Sequence, residues 1–261
     1  MQISFILEVA VKFLIPLLSV LIALYLGQRY GIYRIKKSPE LQQSAVGSVV
    51  GAVFGLLAFI LAFTFQIAAN HYDSRKSKLL EEVTNIRTTY LRAGLIEEPI
   101  CSDTKNLLVD YVDQRVELTR DFSKLGSVLS RSQQILDTLW SYAEILAKRD
   151  RSSEIYSLFT SSVNDLFNNY NQRVTFALEY RIPVAVFYVL YVILFFSMFV
   201  LGYQFGISGK GSFKINILMA IVFAVVMFLI TALDRPEMGL AKINQKPLIT
   251  LQNQLHEKQA H

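Results

Sequence analysis

One stripe of the chain's second apolar segment carries the residues whose types and spacing could do chemistry. Counted from Gly47 at about 100° per helical residue, the stripe gathers small, polar and aromatic side chains: Ser48, Gly55, Phe59, Ala62, Gln66, Asn70 and Asp73, with Phe63 at its edge. The opposite side is almost uniformly aliphatic, and lipid favours that side. The polar stripe must meet protein or water, because an unpaired polar group is costly in hydrocarbon.

Two interpretations of this segment stay open, and they are compatible. Gly47, Gly51 and Gly55 repeat at every fourth position, a spacing of small residues that lets helices approach closely. Alternatively the stripe lines a pore, in which Phe59 and Phe63 form a hydrophobic constriction that gates by dewetting. A pore with one lining helix per subunit requires a ring of subunits, so this second interpretation predicts a cyclic homo-oligomer.

The stripe belongs to one of four segments that are long and apolar enough to cross a bilayer. Of the 261 residues, 52% are hydrophobic and 18% are charged, whereas soluble domains carry about 25% charged residues. A span takes about 20 apolar residues, and the predicted spans cover about 5–27, 44–70, 183–205 and 213–233. Four glycines predict a short turn between the last two spans: Gly202, Gly206, Gly209 and Gly211.

The first apolar segment resembles a membrane anchor more than a cleaved signal peptide. Its start lacks the basic residues of a signal peptide, its apolar core is long, and Gln28 and Arg29 follow directly. Glu8 and Lys12 are one helical turn apart on it, so they can pair or sit at the membrane interface.

The remaining sequence predicts an all-α integral membrane protein with four transmembrane helices and an inserted helical extramembrane domain. The domains are residues 1–70 (first two spans), 71–181 (three or four helices, the first continuing out of the second span), 182–233 (last two spans) and 234–261 (a C-terminal tail). The net charge of +5 does not indicate nucleic-acid binding, because many basic residues flank the apolar runs, where membrane topology explains them.

No pattern of catalytic residues is present, so we do not expect an enzyme. The chain has no metal-binding histidine pattern, no phosphate-cradling glycine loop and no nucleophile elbow. We read Glu81 and Glu82 as solvated helix charge rather than an acid–base pair. We expect no cofactor and no metal. A secondary transporter is not favoured, because we see neither an inverted repeat nor a clearly broken helix.

Two segments resemble a known family. NHYDSRKSKLLEEV at residues 70–83 and LDRPEMGLAKINQKPL at residues 233–248 are similar to the signatures of the bestrophin-like group of four-span membrane proteins. The order of two spans, a large helical domain and two further spans is also similar. A more distant similarity connects this group to the bestrophin ion channels.

The resemblance implies a homopentameric ion channel whose second helix lines the pore, with an apolar neck near Gly55, Phe59 and Phe63. Bestrophins also have an acidic, calcium-binding cluster after the last span. In this sequence only Asp234 and Glu237 remain of it, and the intervening cation of Arg235 argues against a metal site.

We therefore interpret the triplet after the last span as a structural motif. It consists of Asp234, Arg235 and Pro236. In this interpretation Asp234 and Arg235 form an ion pair that caps the end of the last helix at the membrane interface.

The expected partners are the lipid bilayer, further copies of the chain and inorganic ions. A ring of Asp73 side chains near one mouth favours cations if it faces the pore. Four spans place the helical domain and both ends of the chain on one side. The basic short loops argue that this side is outside the cytoplasm, and the resemblance argues that it is cytoplasmic. The competing hypothesis is a non-conducting scaffold or sensor in the plasma membrane, whose helical domain binds a partner.

Overall fold

The computed structural model describes residues 2–37, 43–209, 211–235 and 241–259, and their regular structure is helical throughout. The α-helices in this part of the chain are α1 (Gln2–Lys37), α2 (Gln43–Ala93), α3 (Ile100–Arg120), α4 (Leu125–Arg149), α5 (Glu154–Leu178), α6 (Val184–Ser208), α7 (Phe213–Asp234) and α8 (Lys246–Gln259). A short 3₁₀ turn, Phe122–Lys124, joins α3 to α4.

The chain divides into two compact units. The first, called the membrane unit, comprises residues 1–72 and 181–242; the second, called the helical domain, comprises residues 73–180 and 243–261. Helix α2 is continuous from Gln43 to Ala93 and contributes residues to both units. The prediction that the second span continues as a helix to about residue 93 is therefore confirmed.

The membrane unit contains the four predicted spans. Among the described residues, four helices are long and apolar enough to cross a membrane, at Val9–Lys37, Val46–Ala93, Val184–Ser208 and Phe213–Asp234; the second of them belongs to the membrane unit only as far as Tyr72. Helix α1 extends ten residues beyond the predicted end of the first span, to Lys37. The basic residues Arg34, Lys36 and Lys37 occupy its last turn, where they stabilise the negative end of the helix dipole.

Helices α1 and α6 pack through glycines. A Cβ atom at Gly27 or Gly31 of α1 would overlap a backbone carbonyl oxygen of α6, and one at Gly202 or Gly206 of α6 would overlap a carbonyl oxygen of α1. The prediction that Gly202 and Gly206 lie in a turn is therefore wrong, because they lie inside α6, where the backbones are too close for any side chain. Gly209, at φ 65°, ends α6 in the left-handed conformation that glycine favours.

The helical domain has its own hydrophobic core, built from the end of α2 and from α3, α4, α5 and α8. Its fully buried large side chains include Tyr111, Leu139 and Phe159. Leu248 and Leu251 of α8 are also buried in this core. Residues 234–261 were predicted to be a tail, and this helix was not anticipated; it belongs to the helical domain.

Candidate functional site

The predicted stripe of α2 is exposed along its whole length. Phe59 and Phe63 expose 69% and 61% of their surface. The other residues of the stripe are exposed as well: Ser48, Gly55, Ala62, Gln66, Asn70 and Asp73. Within the described part of the single chain, no other helix covers this face of α2. The face is therefore available to water, to lipid or to a second copy of the chain.

The opposite side of α2 packs inside the membrane unit. Leu57 and Leu61 join one buried cluster with Leu190 and Leu194 of α6, and the Thr64 hydroxyl donates to the Ile60 carbonyl at 2.8 Å. We expected lipid to cover this aliphatic side. The expectation is wrong for its centre, because the chain's other membrane helices cover it.

The glycines of the stripe have open space beside them. A Cβ atom at Gly51 or Gly55 would meet nothing within 4 Å, and one at Gly47 would lie 3.5 Å from the Gln204 side-chain nitrogen. If a helix packs closely against Gly51 and Gly55, that helix must lie outside the described part of this chain. Packing of these glycines against another subunit therefore stays a prediction.

The polar end of the stripe contains two amides that pair with each other. Gln66 donates from Nε2 to Oδ1 of Asn70 at 2.8 Å, one helical turn away. An amide side chain carries two N–H donors and an acceptor oxygen, so this bond uses only part of each group. The remaining donors favour water or protein at this surface over hydrocarbon.

Asp234, at the end of α7, is buried and accepts hydrogen bonds from within the membrane unit. It exposes 1% of its surface; its Oδ1 accepts from the Ile182 backbone N–H at 3.0 Å and lies 3.2 Å from His71 Nδ1. It thereby connects α2, the segment before α6 and the end of α7. This contact was not anticipated, although His71 and Asp234 both lie in the two segments that carry the family resemblance.

The other two residues of the predicted motif take different places. Arg235 caps α7, and its backbone N–H donates to the Thr231 carbonyl at 3.1 Å. Pro236 lies outside the described residues. The buried carboxylate of Asp234 lies against segments that are far apart in sequence, and the structural role of the motif stays a prediction.

The helical domain contains a buried charged cluster around Glu82. Glu82 is fully buried, accepts a hydrogen bond from the Tyr111 hydroxyl at 2.7 Å, and pairs with Arg115 at 3.2 Å and with Arg173. Burial raises the pKa of Tyr111 to about 12, so this phenol keeps its proton and donates a hydrogen bond to the carboxylate.

Our interpretation of Glu82 as solvated charge is therefore wrong. Neighbouring Glu81 is exposed, as interpreted. It also pairs with Lys78 at 2.6 Å, a contact that was not anticipated. Adjacent positions on a helix differ by about 100°, which turns one carboxylate to solvent and the other into the core.

The described residues include no group of three or more histidine, cysteine, aspartate and glutamate side chains placed to hold a metal ion. Cys101 is buried in the helical domain and its thiol is free. The candidate functional site is the exposed stripe of α2, which presents small, polar and aromatic side chains on a helix long enough to cross a membrane.

Comparisons with known proteins agree with this architecture. A family model described as a bestrophin-like domain matches residues 13–248. No protein of curated function matches the chain.

Among solved structures, a variant of a bacterial bestrophin homologue from Klebsiella pneumoniae is 15% identical with a TM-score of 0.67, covering 97% of this chain and 100% of that one. A second structure of that homologue has a TM-score of 0.60 at 14% identity, with coverages of 94% and 95%. A variant described only as a membrane protein has a TM-score of 0.65 at 13% identity, with coverages of 96% and 98%. At these identities the likeness is one of fold. Since the family model matches most of its length, the chain belongs to the bestrophin-like domain family and is an integral membrane protein with four spans and an inserted helical domain.

Proposed function

We propose that this protein is an oligomeric ion channel of the plasma membrane whose pore is lined by α2 of each subunit. The observation that supports this most is the exposure of the α2 stripe, which carries polar and small side chains along a helix that crosses the membrane. Lipid is a poor environment for Gln66 and Asn70. A ring of subunits with α2 on its axis gives these side chains water, and the family resemblance favours five subunits.

In this arrangement Phe59 and Phe63 form the constriction. The two rings are one helical turn apart and project from the exposed arc, at 69% and 61% exposure. Repeated around an axis, they would form two stacked apolar collars. Water leaves such a narrow apolar passage readily, so a small change in diameter switches conduction.

The test is ion flow through purified protein in planar bilayers. We expect discrete currents from the unmodified protein and an altered conductance or open fraction from Phe59→Ala, which removes one collar. Phe196→Ala is the matched control, because Phe196 is 59% exposed but lies on α6, and it should leave currents unchanged. Silent bilayers from well-folded oligomers would refute the proposal.

The alternative function is a non-conducting scaffold or sensor. It is favoured by exposed apolar side chains on the helical domain, Leu91 at 56%, Leu95 at 59% and Leu158 at 47%, which could contact a partner. This hypothesis requires that the α2 stripe be packed against protein in the oligomer. Cysteines placed at Gln66 and Asn70 would separate the two, since a water-soluble thiol reagent labels them in an open pore and not in a packed interior.

A further inference from the structure

A groove on the membrane unit lies apart from the α2 stripe. It has a volume of about 240 Å³, and its lining residues come from α1, α6, α7 and the residue that follows α7. They include Lys12, Ile15, Val184, Tyr188 and Arg235. Because the spans alternate in direction, the start of α1, the start of α6 and the end of α7 lie at the same side of the membrane. The groove is therefore at one membrane boundary.

The groove combines an apolar wall with basic side chains. Ile15, Val184 and Tyr188 expose 52%, 60% and 70% of their surface. Tyrosine is a residue type that is enriched at the membrane–water interface. Lys12 and Arg235 supply the charge. In the sequence, Glu8 precedes Lys12 by four positions, so the formal charges of Glu8, Lys12 and Arg235 sum to +1.

The carboxylate of Asp234 does not line the groove. Asp234 precedes Arg235 in the chain, but it is 1% exposed. Its Oδ1 instead accepts from the Ile182 N–H. The groove thus offers cations at the depth of lipid phosphates, next to a surface suited to acyl chains.

We propose that this groove binds one anionic phospholipid of the bilayer. The phosphate would lie between Lys12 and Arg235, and the acyl chains would run along Ile15 and Val184. Sites that enclose a whole drug-sized ligand measure about 300–1,000 Å³, so a groove of this size fits part of an elongated molecule. A zwitterionic headgroup is disfavoured, because its ammonium would face the two basic side chains.

The test is lipid retention by the full-length protein, measured by native mass spectrometry after exchange into micelles with equal phosphatidylglycerol and phosphatidylcholine. We expect the unmodified protein to retain phosphatidylglycerol preferentially. Arg235→Gln should weaken that retention about fivefold, the effect of one basic side chain near a charged membrane surface. Lys214→Gln is the control, since Lys214 is exposed at the opposite end of α7, and it should change nothing.

A second variant keeps the charges and fills the groove. Val184→Trp should reduce phosphatidylglycerol retention, while the melting temperature and elution volume of the protein stay unchanged. This variant tests the proposal even if Arg235→Gln does not fold. Equal retention of the two lipids, or equal losses in Arg235→Gln and Lys214→Gln, would overturn the proposal. Retention requires no current, so its outcome is independent of channel activity.

Discussion

One buried carboxylate in the helical domain interacts with several charged and polar side chains. Glu82 is the carboxylate for two arginines, Arg115 and Arg173, and it accepts from Tyr111. A buried ion pair gains little net stability over an apolar core, but removing one partner leaves the other charges buried and uncompensated. The cluster also joins α2, α3 and α5, so it specifies how these helices meet.

At this scale we predict that Glu82→Gln destabilises the helical domain by about 3–5 kcal/mol, because Arg115 and Arg173 lose their carboxylate. Guanidinium unfolding followed by the fluorescence of Trp140 measures this, since the chain has one tryptophan and it lies in α4 of this domain. Glu81→Gln is the control and should hardly move the midpoint, because exposed ion pairs contribute little. Equal shifts in both variants would show that the buried cluster is not stabilising.

At the scale of elements, α8 shows how a polar segment acquires structure. Leu248, Leu251 and Leu255 follow the spacing of one helical face, and the core of the helical domain buries all three. Further hydrogen bonds fasten the helix to α3, including Gln252 to Asp113 at 2.7 Å and His256 Nε2 at 2.9 Å from the same carboxylate. Tertiary packing therefore stabilises a segment of 14 residues, a length at which an isolated helix is marginal in water.

We predict that Leu251→Ala lowers the stability of the helical domain by about 2–5 kcal/mol, the usual cost of a cavity left by a buried leucine. The neighbouring Ile249→Ala should cost much less, because Ile249 is 38% exposed. Unfolding curves of both variants, again read from Trp140, make the comparison. If Leu251→Ala behaved like Ile249→Ala, α8 would not be part of the cooperative core.

At the scale of the whole molecule, the glycines separate contacts within a chain from contacts between chains. Gly202 faces the backbone of α1 at a distance that admits no Cβ atom, whereas a Cβ atom at Gly55 meets nothing within 4 Å. Gly202 is therefore needed for packing within one chain, whereas the surface at Gly55 is open to contact with another subunit, lipid or water.

We therefore predict that replacing glycine by leucine has different effects on the stability of the subunit at Gly202 and at Gly55. Gly202→Leu should lower the melting temperature sharply, because overpacking forces the α1 and α6 backbones apart. Gly55→Leu should leave the fold of the subunit intact. Light scattering and bilayer recording then distinguish the two possible roles of Gly55. Oligomers smaller than those of the unmodified protein indicate that Gly55 packs between subunits. Oligomers of unchanged size with reduced conductance indicate that Gly55 lines the pore. A Gly55→Leu variant unchanged in both would refute both interpretations.

The sequence by itself determined the four spans, the inserted helical domain and the two unlike faces of α2. These follow from apolar length and from helical periodicity, which are properties of local sequence. It also predicted the stripe from Ser48 to Asp73, because polar groups on a membrane helix are uncommon.

Only the tertiary structure decided which surfaces those faces meet. The centre of the aliphatic side of α2, at Leu57 and Leu61, is covered by other helices of the chain. The contact between α1 and α6 is made by four glycines, and Glu82 is buried while Glu81 is not: the glycines are Gly27, Gly31, Gly202 and Gly206. Residues far apart in sequence create each of these environments. Periodicity shows that a helix has two faces, but burial depends on which other helices come to lie against them.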